Sequence, residues 1–376
     1  MMNESSIELA RLSRHGGRVY EAARRWGIDP DEVIDFSANI NPLGAPPGVI
    51  AAIRNGLAPV ALRTYPDPHA FVSAVADRHR VDPDQVLVGN GMAALIFALW
   101  RAIRPGRVLL LEPGFDEYLR ACAAVKAEVF SLGLREERGF SPDFAELAEA
   151  LVERRCDLVV LNSPHNPTGR LYERAELRAL AEVAERHRVA VILDEAFIDY
   201  VPQSSLLRLA AAGSRFAVLR SLTKFYAMPG LRLGYGVCGA ELAAAVREQI
   251  DPWPVSAIAL EAGVAALSEP EYDARSILVN AQAREEFAAA LRGIGLQVFP
   301  SSANFLLAKL PGGSGAELAG RLEAERILIR RGDSFRGLGD RYIRLAVRSE
   351  EDNRRLVSLI NAWLELNREI RKTREI

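Results

Sequence analysis

Between residues 84 and 194 the chain repeats one unit: a short apolar run, a loop of glycine or polar residues, then a stretch of helical period. The apolar runs cover residues 86–89, 108–111, 157–162 and 189–193, with a short extended piece at 128–132. Helices are predicted over 92–103, after Phe115, over 141–153 with Ser141 as N-cap, and over 175–187. Strand, short loop and helix alternating this regularly predict a mostly parallel sheet covered on both faces, an α/β fold. Each run ends in glycine or unusual polar residues, and that edge of an open α/β sheet is where ligands bind.

After residue 250 the pattern changes. A proline-rich break, DPWPVS at 251–256, leads into long helical stretches over 257–267 and 273–294. Strand-like runs follow at 297–299, 304–308, 327–330 and 342–347, with helices over 315–324 and 349–366. Helices beside a small antiparallel sheet make a second, α+β domain, and the charged residues 367–376 are expected to fray. A chain of 376 residues exceeds one ordinary domain. The expected division is an N-terminal arm at 1–45 packing with the small domain, a large domain at 46–255 and a small one at 256–376.

The formal net charge is −2, which gives no support for nucleic-acid binding by bulk charge. Cys122, Cys156 and Cys238 are odd in number and set in apolar contexts, so they read as reduced core residues, not a disulfide framework or a metal site. The first seventeen residues hold no apolar stretch of signal-peptide length, and no window reaches the ~18 apolar residues of a membrane span. A soluble, cytoplasmic protein with no membrane or nucleic-acid partner is expected.

The chemistry concentrates at residues 221–235, SLTKFYAMPGLRLGY, which follow the apolar run at 216–219. The chain has four lysines, Lys126, Lys224, Lys309 and Lys372, against a large excess of arginine. Lysine can lose its proton in a dry pocket and form a Schiff base with a carbonyl, which arginine cannot. Ser221 and Arg232 are donors of the kind that hold a phosphate beside it. A phosphate anchor next to an imine-forming lysine describes a pyridoxal phosphate site. A buried strand and turn with Lys224 snorkelling to solvent is the alternative.

Other strand ends supply candidate parts. Gly89-Asn90-Gly91 opens a predicted helix whose free N–H groups suit a phosphate, or is a simple tight turn. Phe115 after Pro-Gly could stack on a planar ring or belong to the core. Asn166, in SPHNPTG, could donate to a ring hydroxyl. Asp194 closes a buried run and needs a partner, for which a protonated pyridine nitrogen serves. An ordinary strand-end aspartate or a metal ligand is the competing view, although no cluster has metal-ligand spacing. Asn39, in DFSANINPLG, suits the wall of a polar pocket or a plain linker, and His15 before two glycines could reach into a site or mark a helix-entry turn. Arg330, Arg331, Arg344 and Arg348 cluster in the second domain; Arg344 lies between apolar neighbours, where an uncompensated charge is costly.

The ordered set GNG, PGF, SPHNPTG, DEAF, SLTK and GLRLGY resembles fold-type I pyridoxal-phosphate enzymes of the aminotransferase superfamily over essentially the whole chain. Within it, HGG, DFSANINPLG, DEAFIDY, RSLTKFYAMPGLRLGY and ILIR…RYIRLAVR are similar to the threonine-phosphate decarboxylases of cobalamin biosynthesis, relatives of the histidinol-phosphate aminotransferases. The resemblance implies that Lys224 carries the cofactor, Asp194 pairs with its pyridine nitrogen, Asn166 touches its ring hydroxyl and Phe115 stacks on its ring. Gly91, Met92, Ser221 and Arg232 would hold its phosphate. Tyr65 would reach that phosphate from the neighbouring subunit of a homodimer with shared sites. Arg344 would clamp the substrate carboxylate, and Arg330 and His15, with Asn39 in the pocket wall, would lie near the substrate. The implied reaction is decarboxylation of L-threonine O-3-phosphate to (R)-1-aminopropan-2-yl phosphate. The alternative is transamination of histidinol phosphate or another phosphorylated amino acid, and a non-catalytic ligand sensor is a third possibility. Met92, His165 and Ser256 depart from the usual pattern, and Phe197 lacks the hydroxyl that DEAY aminotransferases offer to the ring oxygen, as in the decarboxylase branch.

Overall fold

The computed structural model describes residues 15–55 and 63–374. The arm contributes helix α1 (Val19–Trp26) and a two-residue strand β1 (Ile34–Asp35), followed by helices α2 (Pro47–Asn55) and α3 (His69–His79). The larger sheet is then built from β2 (Val86–Asn90), β3 (Arg107–Glu112), β4 (Glu128–Gly133), β5 (Leu158–Asn162), β6 (Ala190–Asp194), β7 (Phe216–Ser221) and β8 (Leu233–Cys238). Their order is β2-β8-β7-β6-β5-β3-β4, and only β8 runs against its neighbours. Every residue of β5, β6, β7 and β8 is buried, which is why these strands read as continuous apolar runs and not as alternating ones.

Helices cover both faces. Leu95, Ile96, Leu99 and Trp100 of α4 (Met92–Ile103) and Tyr118 and Cys122 of α5 (Asp116–Val125) fill one side. The opposite side takes Phe71 and Val75 of α3, Leu147 and Leu151 of α6 (Phe144–Glu153), and Leu177 and Leu180 of α7 (Arg174–Arg186). The chain continues through the short helices α8 (Leu207–Ala212) and α9 (Leu222–Phe225), then α10 (Ala240–Arg247) and α11 (Ala257–Leu267). Helix α11 packs on α2 and α3, and α12 (Pro270–Gly293) leads away from it.

A second sheet, β12-β13-β10-β9, is antiparallel as expected. Its strands are β9 (Gln297–Val298), β10 (Phe305–Lys309), β12 (Arg330–Arg331) and β13 (Tyr342–Ala346), with β11 (Ile327–Leu328) just before β12. Phe287 and Leu291 of α12, Leu318 and Leu322 of α13 (Gly315–Glu323), and Leu356 and Ile360 of α14 (Glu350–Arg374) pack with Leu306, Ile343 and Leu345 into a separate core. Phe36 of the arm enters that core, and β1 pairs in parallel with β11, Ile34 opposite Ile327.

Three local expectations are corrected. The run 327–330 is two strands in different sheets, because Ile327 and Leu328 bond to the arm while Arg330 pairs with β13. Helix α6 begins at Phe144, capped by Asp143 and not Ser141. The Asp143 carboxylate accepts from the N–H groups of Ala145 and Glu146, satisfying two of the helix's free donors. Residues 367–374 continue α14 instead of fraying, in keeping with the high helix propensity of Glu, Arg and Lys. No helix among the described residues is long and apolar enough to cross a membrane. Cys122, Cys156 and Cys238 are all buried and unbonded to one another.

Candidate active site

The carboxyl ends of β2, β6 and β7 and the start of β8 meet at one edge of the large sheet. At β2 the chain turns through Gly91, with φ of 73°, and Met92 opens α4, leaving the helix's first N–H groups without intrahelical partners. Arg232 precedes β8 in the left-handed conformation and lays its guanidinium against this turn. A Cβ on Gly91 would stand 2.7 Å from Arg232 Nη2, and one on Gly234 2.6 Å from the Met92 nitrogen. Ser221 lies opposite Gly234 across β7 and β8, and its Oγ caps the single turn of α9, 2.7 Å from Thr223 Oγ1. The start of α4 and Arg232 thus pack so closely that neither Gly91 nor Gly234 admits an extra carbon, and Ser221 ends the adjoining strand beside Gly234. The Met92 side chain is buried in the apolar core, so its departure from the usual polar type leaves the backbone donor in place.

Lys224 follows within α9. Burial, together with the charges of Arg344 and Arg232, brings its ammonium down to about 8, against the opposing pull of Asp35. Asp194 at the end of β6 is buried; Oδ1 accepts from the Ala196 N–H at 2.8 Å and Oδ2 from the Tyr118 hydroxyl at 2.5 Å. Burial pushes this carboxyl up to about 6, although both hydrogen bonds favour its charged form. Asn162 stands opposite Asp194 on β5. It donates to the Asp194 carbonyl at 2.8 Å and accepts the Asn166 N–H at 2.6 Å, fixing the SPHNPTG loop against the sheet. His165 is buried with Nδ1 2.8 Å from Thr168 Oγ1, and burial lowers its imidazole to about 3, so it is a neutral brace within this loop.

The second domain brings two arginines to the same edge. Arg344 donates to Asn166 Oδ1 and to the Ser37 carbonyl, both at 2.6 Å, while its Nε has no partner among the described residues. Arg330 is buried with its guanidinium 4.7 Å over the Phe335 ring, and its Nε and Nη1 find no partner among the described residues. Burial lowers both, Arg344 to about 9 and Arg330 to about 10. Beside Arg330 opens a cavity of about 1010 Å³ lined also by His15, Ser37 and Arg18. His15 Nε2 lies 2.8 Å from Glu117 Oε1 and its ring 5.7 Å from Phe115.

His15, Phe115, Asn166, Asp194, Ser221, Lys224, Arg232, Arg330 and Arg344 are therefore brought together. Asn39 is buried, its carbonyl accepting from Asn304 and its Oδ1 without a partner among the described residues. Tyr65 stands apart: it is 73 % exposed and stacks on Trp253 with ring centroids 4.0 Å apart. Sequence reasoning missed Tyr118, Asn162, Ser37 and Asp116. Asp116 and Tyr118 follow the PGF motif and Asn162 closes an apolar run, but only the fold reveals what each one touches.

These residues fit pyridoxal phosphate. The tight Gly91–Arg232 turn and the free start of α4 offer cationic and neutral donors for a phosphate, Asp194 is a buried carboxylate that suits a cationic nitrogen, and Lys224, with a lowered pKa, lies within the electrostatic reach of Arg232. The aminotransferase class I and II family model matches residues 31–360. The chain is 39% identical to a threonine-phosphate decarboxylase of Salmonella typhimurium over 356 residues, covering 93% of this chain and 96% of that protein. Among solved structures, the histidinol-phosphate aminotransferase of Clostridium acetobutylicum superposes with a TM-score of 0.83 at 29% identity, covering 89% of this chain and 100% of the other. The L-threonine-O-3-phosphate decarboxylase of Porphyromonas gingivalis superposes with a TM-score of 0.77 at 28% identity, with the same coverage of 89% and 100%. With its fold-type I sheet and this edge of side chains, the chain belongs to the aminotransferase class I and II family.

Proposed function

We propose that this chain is a pyridoxal-phosphate-dependent carboxy-lyase that converts L-threonine O-3-phosphate to (R)-1-aminopropan-2-yl phosphate and carbon dioxide. The observation that carries the proposal is the pair Arg330 and Arg344: two buried guanidiniums opposite one another on β12 and β13, both with nitrogens that find no partner among the described residues, Arg344 close enough to bear on Lys224. Such a pair suits a small amino acid with an anion at each end.

Gly91, Met92, Ser221 and Arg232 would hold the cofactor phosphate, Asp194 its pyridine nitrogen, Asn166 its ring hydroxyl and Phe115 its ring face. Pyridoxal phosphate, when bound, supplies a sink for the electron pair left on Cα when a bond there breaks. Arg344 orients the substrate carboxylate, itself steered by Asn166 and the Ser37 carbonyl. Arg330 and His15 hold the far phosphate, and Asn39 lines the pocket. Lys224, with its pKa near neutrality, is positioned to hold or deliver a proton at Cα. Which bond at Cα breaks depends on how the two arginines turn the substrate, and a shift of about an ångström decides it.

We further propose a homodimer in which Tyr65 reaches the partner's cofactor phosphate, and a division of the chain at 1–45, 46–255 and 256–376. The deciding experiment supplies the cofactor-loaded protein with L-threonine O-3-phosphate and follows carbon dioxide and amine together. Equal yields of the two, abolished in Lys224→Ala, support the decarboxylase. Glutamate formed from 2-oxoglutarate and histidinol phosphate, without carbon dioxide, would replace it with the aminotransferase reading.

A further inference from the structure

On the face of the large sheet opposite α4 lies a second cavity, of about 600 Å³. The two sides are divided by the alternation of side chains along the strands. Ser221 stands opposite Gly234, where a Cβ would meet the Met92 nitrogen at the start of α4. Arg220, one residue earlier, stands opposite Tyr235, whose hydroxyl lies 2.7 Å from His79 Nε2 at the end of α3. Asp194 and Glu195 part in the same way, one reaching Tyr118 and the other Arg220. The cavity shares no side chain with the candidate active site.

Six arginines line it: Arg78, Arg80, Arg174, Arg178, Arg208 and Arg220. The buried Arg220 is matched by Glu195 at 2.9 Å and Asp199 at 2.7 Å, and Arg78 by Asp273. Arg80, Arg174, Arg178 and Arg208 are exposed and form no ion pair among the described residues. Six arginines against the three carboxylates paired with them leave an excess of three positive charges, on a chain whose net charge is −2. Two of these cations sit where they cost stability. Arg174 opens α7 and Arg208 is the second residue of α8, and the macrodipole disfavours a cation at a helix start. His79, also in the lining, stays neutral, because burial and the charges of Arg220 and Arg78 lower its imidazole to about 3.

A cleft lined by charge of one sign concentrates its field and draws in counter-ions. Guanidinium forks match phosphate oxygens, and a volume within the range of about 300–1,000 Å³ found for small-molecule sites exceeds what one phosphate fills. We propose that this cavity is a second anion site that takes a chain of phosphate groups, a di- or triphosphate, free or carried by a nucleotide. Arg80, Arg174, Arg178 and Arg208 grip the oxygens, while Arg220 stays engaged with Glu195 and Asp199.

The test titrates tripolyphosphate into the cofactor-loaded protein by calorimetry in metal-free buffer, comparing the wild type with Arg178→Glu/Arg208→Glu and with Arg330→Gln. Arg178 and Arg208 are exposed, so the double variant should keep the wild-type melting temperature; Arg80→Gln is a milder change that should weaken binding in the same direction. Binding to the wild type is expected, about tenfold or more weaker in the double variant, weaker at high salt, and unchanged in Arg330→Gln. ATP that binds more tightly than tripolyphosphate, with the same loss in the double variant, identifies a nucleotide as the source; equal or weaker binding identifies a free phosphate chain. No binding by the wild type, or unchanged affinity in both the double variant and Arg80→Gln, would overturn the proposal. Loss of binding in Arg330→Gln instead would move the polyanion to the substrate pocket and overturn it equally.

Discussion

Arg330 and Arg344 stand directly opposite one another across β12 and β13, two buried cations in one antiparallel register. Like charges at paired positions of a sheet destabilise it; burial loosens both guanidiniums' hold on their protons, and Arg330 loosens that of Arg344 further. Nearby carboxyls offset this only in part: Asp116 acts on Arg330 and Asp35 on Arg344. On the proposed function, the two anions of the substrate would complete the arrangement.

Removing either guanidinium should therefore separate the two ends of the substrate. For Arg330→Gln, kcat/KM for L-threonine O-3-phosphate is expected to fall about tenfold to a hundredfold, the worth of a charge-assisted hydrogen bond. The corresponding value for unphosphorylated L-threonine should hardly move. In Arg344→Lys both substrates should suffer, because a lysine cannot keep the two bonds to Asn166 and Ser37 while gripping a carboxylate. Steady-state kinetics on the two amino acids gives the ratio; equal losses in Arg330→Gln would remove it from the phosphate end.

Lys224 should reveal its pKa in cofactor capture. Only the neutral amine attacks a carbonyl, and burial with Arg344 and Arg232 places the midpoint at about 8. Absorbance changes on mixing apoprotein with pyridoxal phosphate should accelerate about tenfold per pH unit below that point and level off above it. Arg344→Gln removes a neighbouring positive charge, so the break should move to higher pH. Lys224→Ala should show no covalent capture.

Tyr118→Phe tests the support beneath Asp194. The hydroxyl favours the charged carboxylate, so its loss should raise the Asp194 pKa further and weaken any pairing with a cationic ring nitrogen. Cofactor affinity should drop roughly tenfold or more, the range for a buried hydrogen bond to a charged group. Equilibrium dialysis of pyridoxal phosphate measures it, and the deficit should shrink as pH rises above the altered titration.

Tyr65 carries the dimer proposal. Exposed and stacked on Trp253, it lies apart from its own chain's site. Tyr65→Ala and Lys224→Ala should each be nearly inactive, while a mixture allowed to exchange subunits should regain activity, because a mixed dimer keeps one site with both residues intact. Failure to regain activity with exchange demonstrated by mass would place Tyr65 outside the partner's site.

The mostly parallel sheet and the polar edge that carries the candidate site were legible because they are written locally. Runs such as Leu158–Asn162 and Ala190–Asp194 are apolar throughout, their ends carry the polar residues, and Lys224 sits in a setting that arginine could not fill. The second domain was legible as a kind of architecture but not in detail. Nothing in residues 327–330 says that Leu328 bonds to the arm while Arg330 turns to β13, since that division depends on partners nearly 300 positions away in one direction and a hairpin away in the other.

What the sequence by itself determined was the inventory: a lysine, an aspartate, a glycine turn that opens a helix and a set of arginines, each in its local element. The tertiary structure alone decided their electrostatics. Whether Lys224 loses its proton, whether Asp194 finds Tyr118, and whether Asp116 comes under the influence of Arg330 all depend on burial and on charges contributed by distant segments. Those quantities arise when the chain folds and excludes water, so no single stretch of sequence contains them.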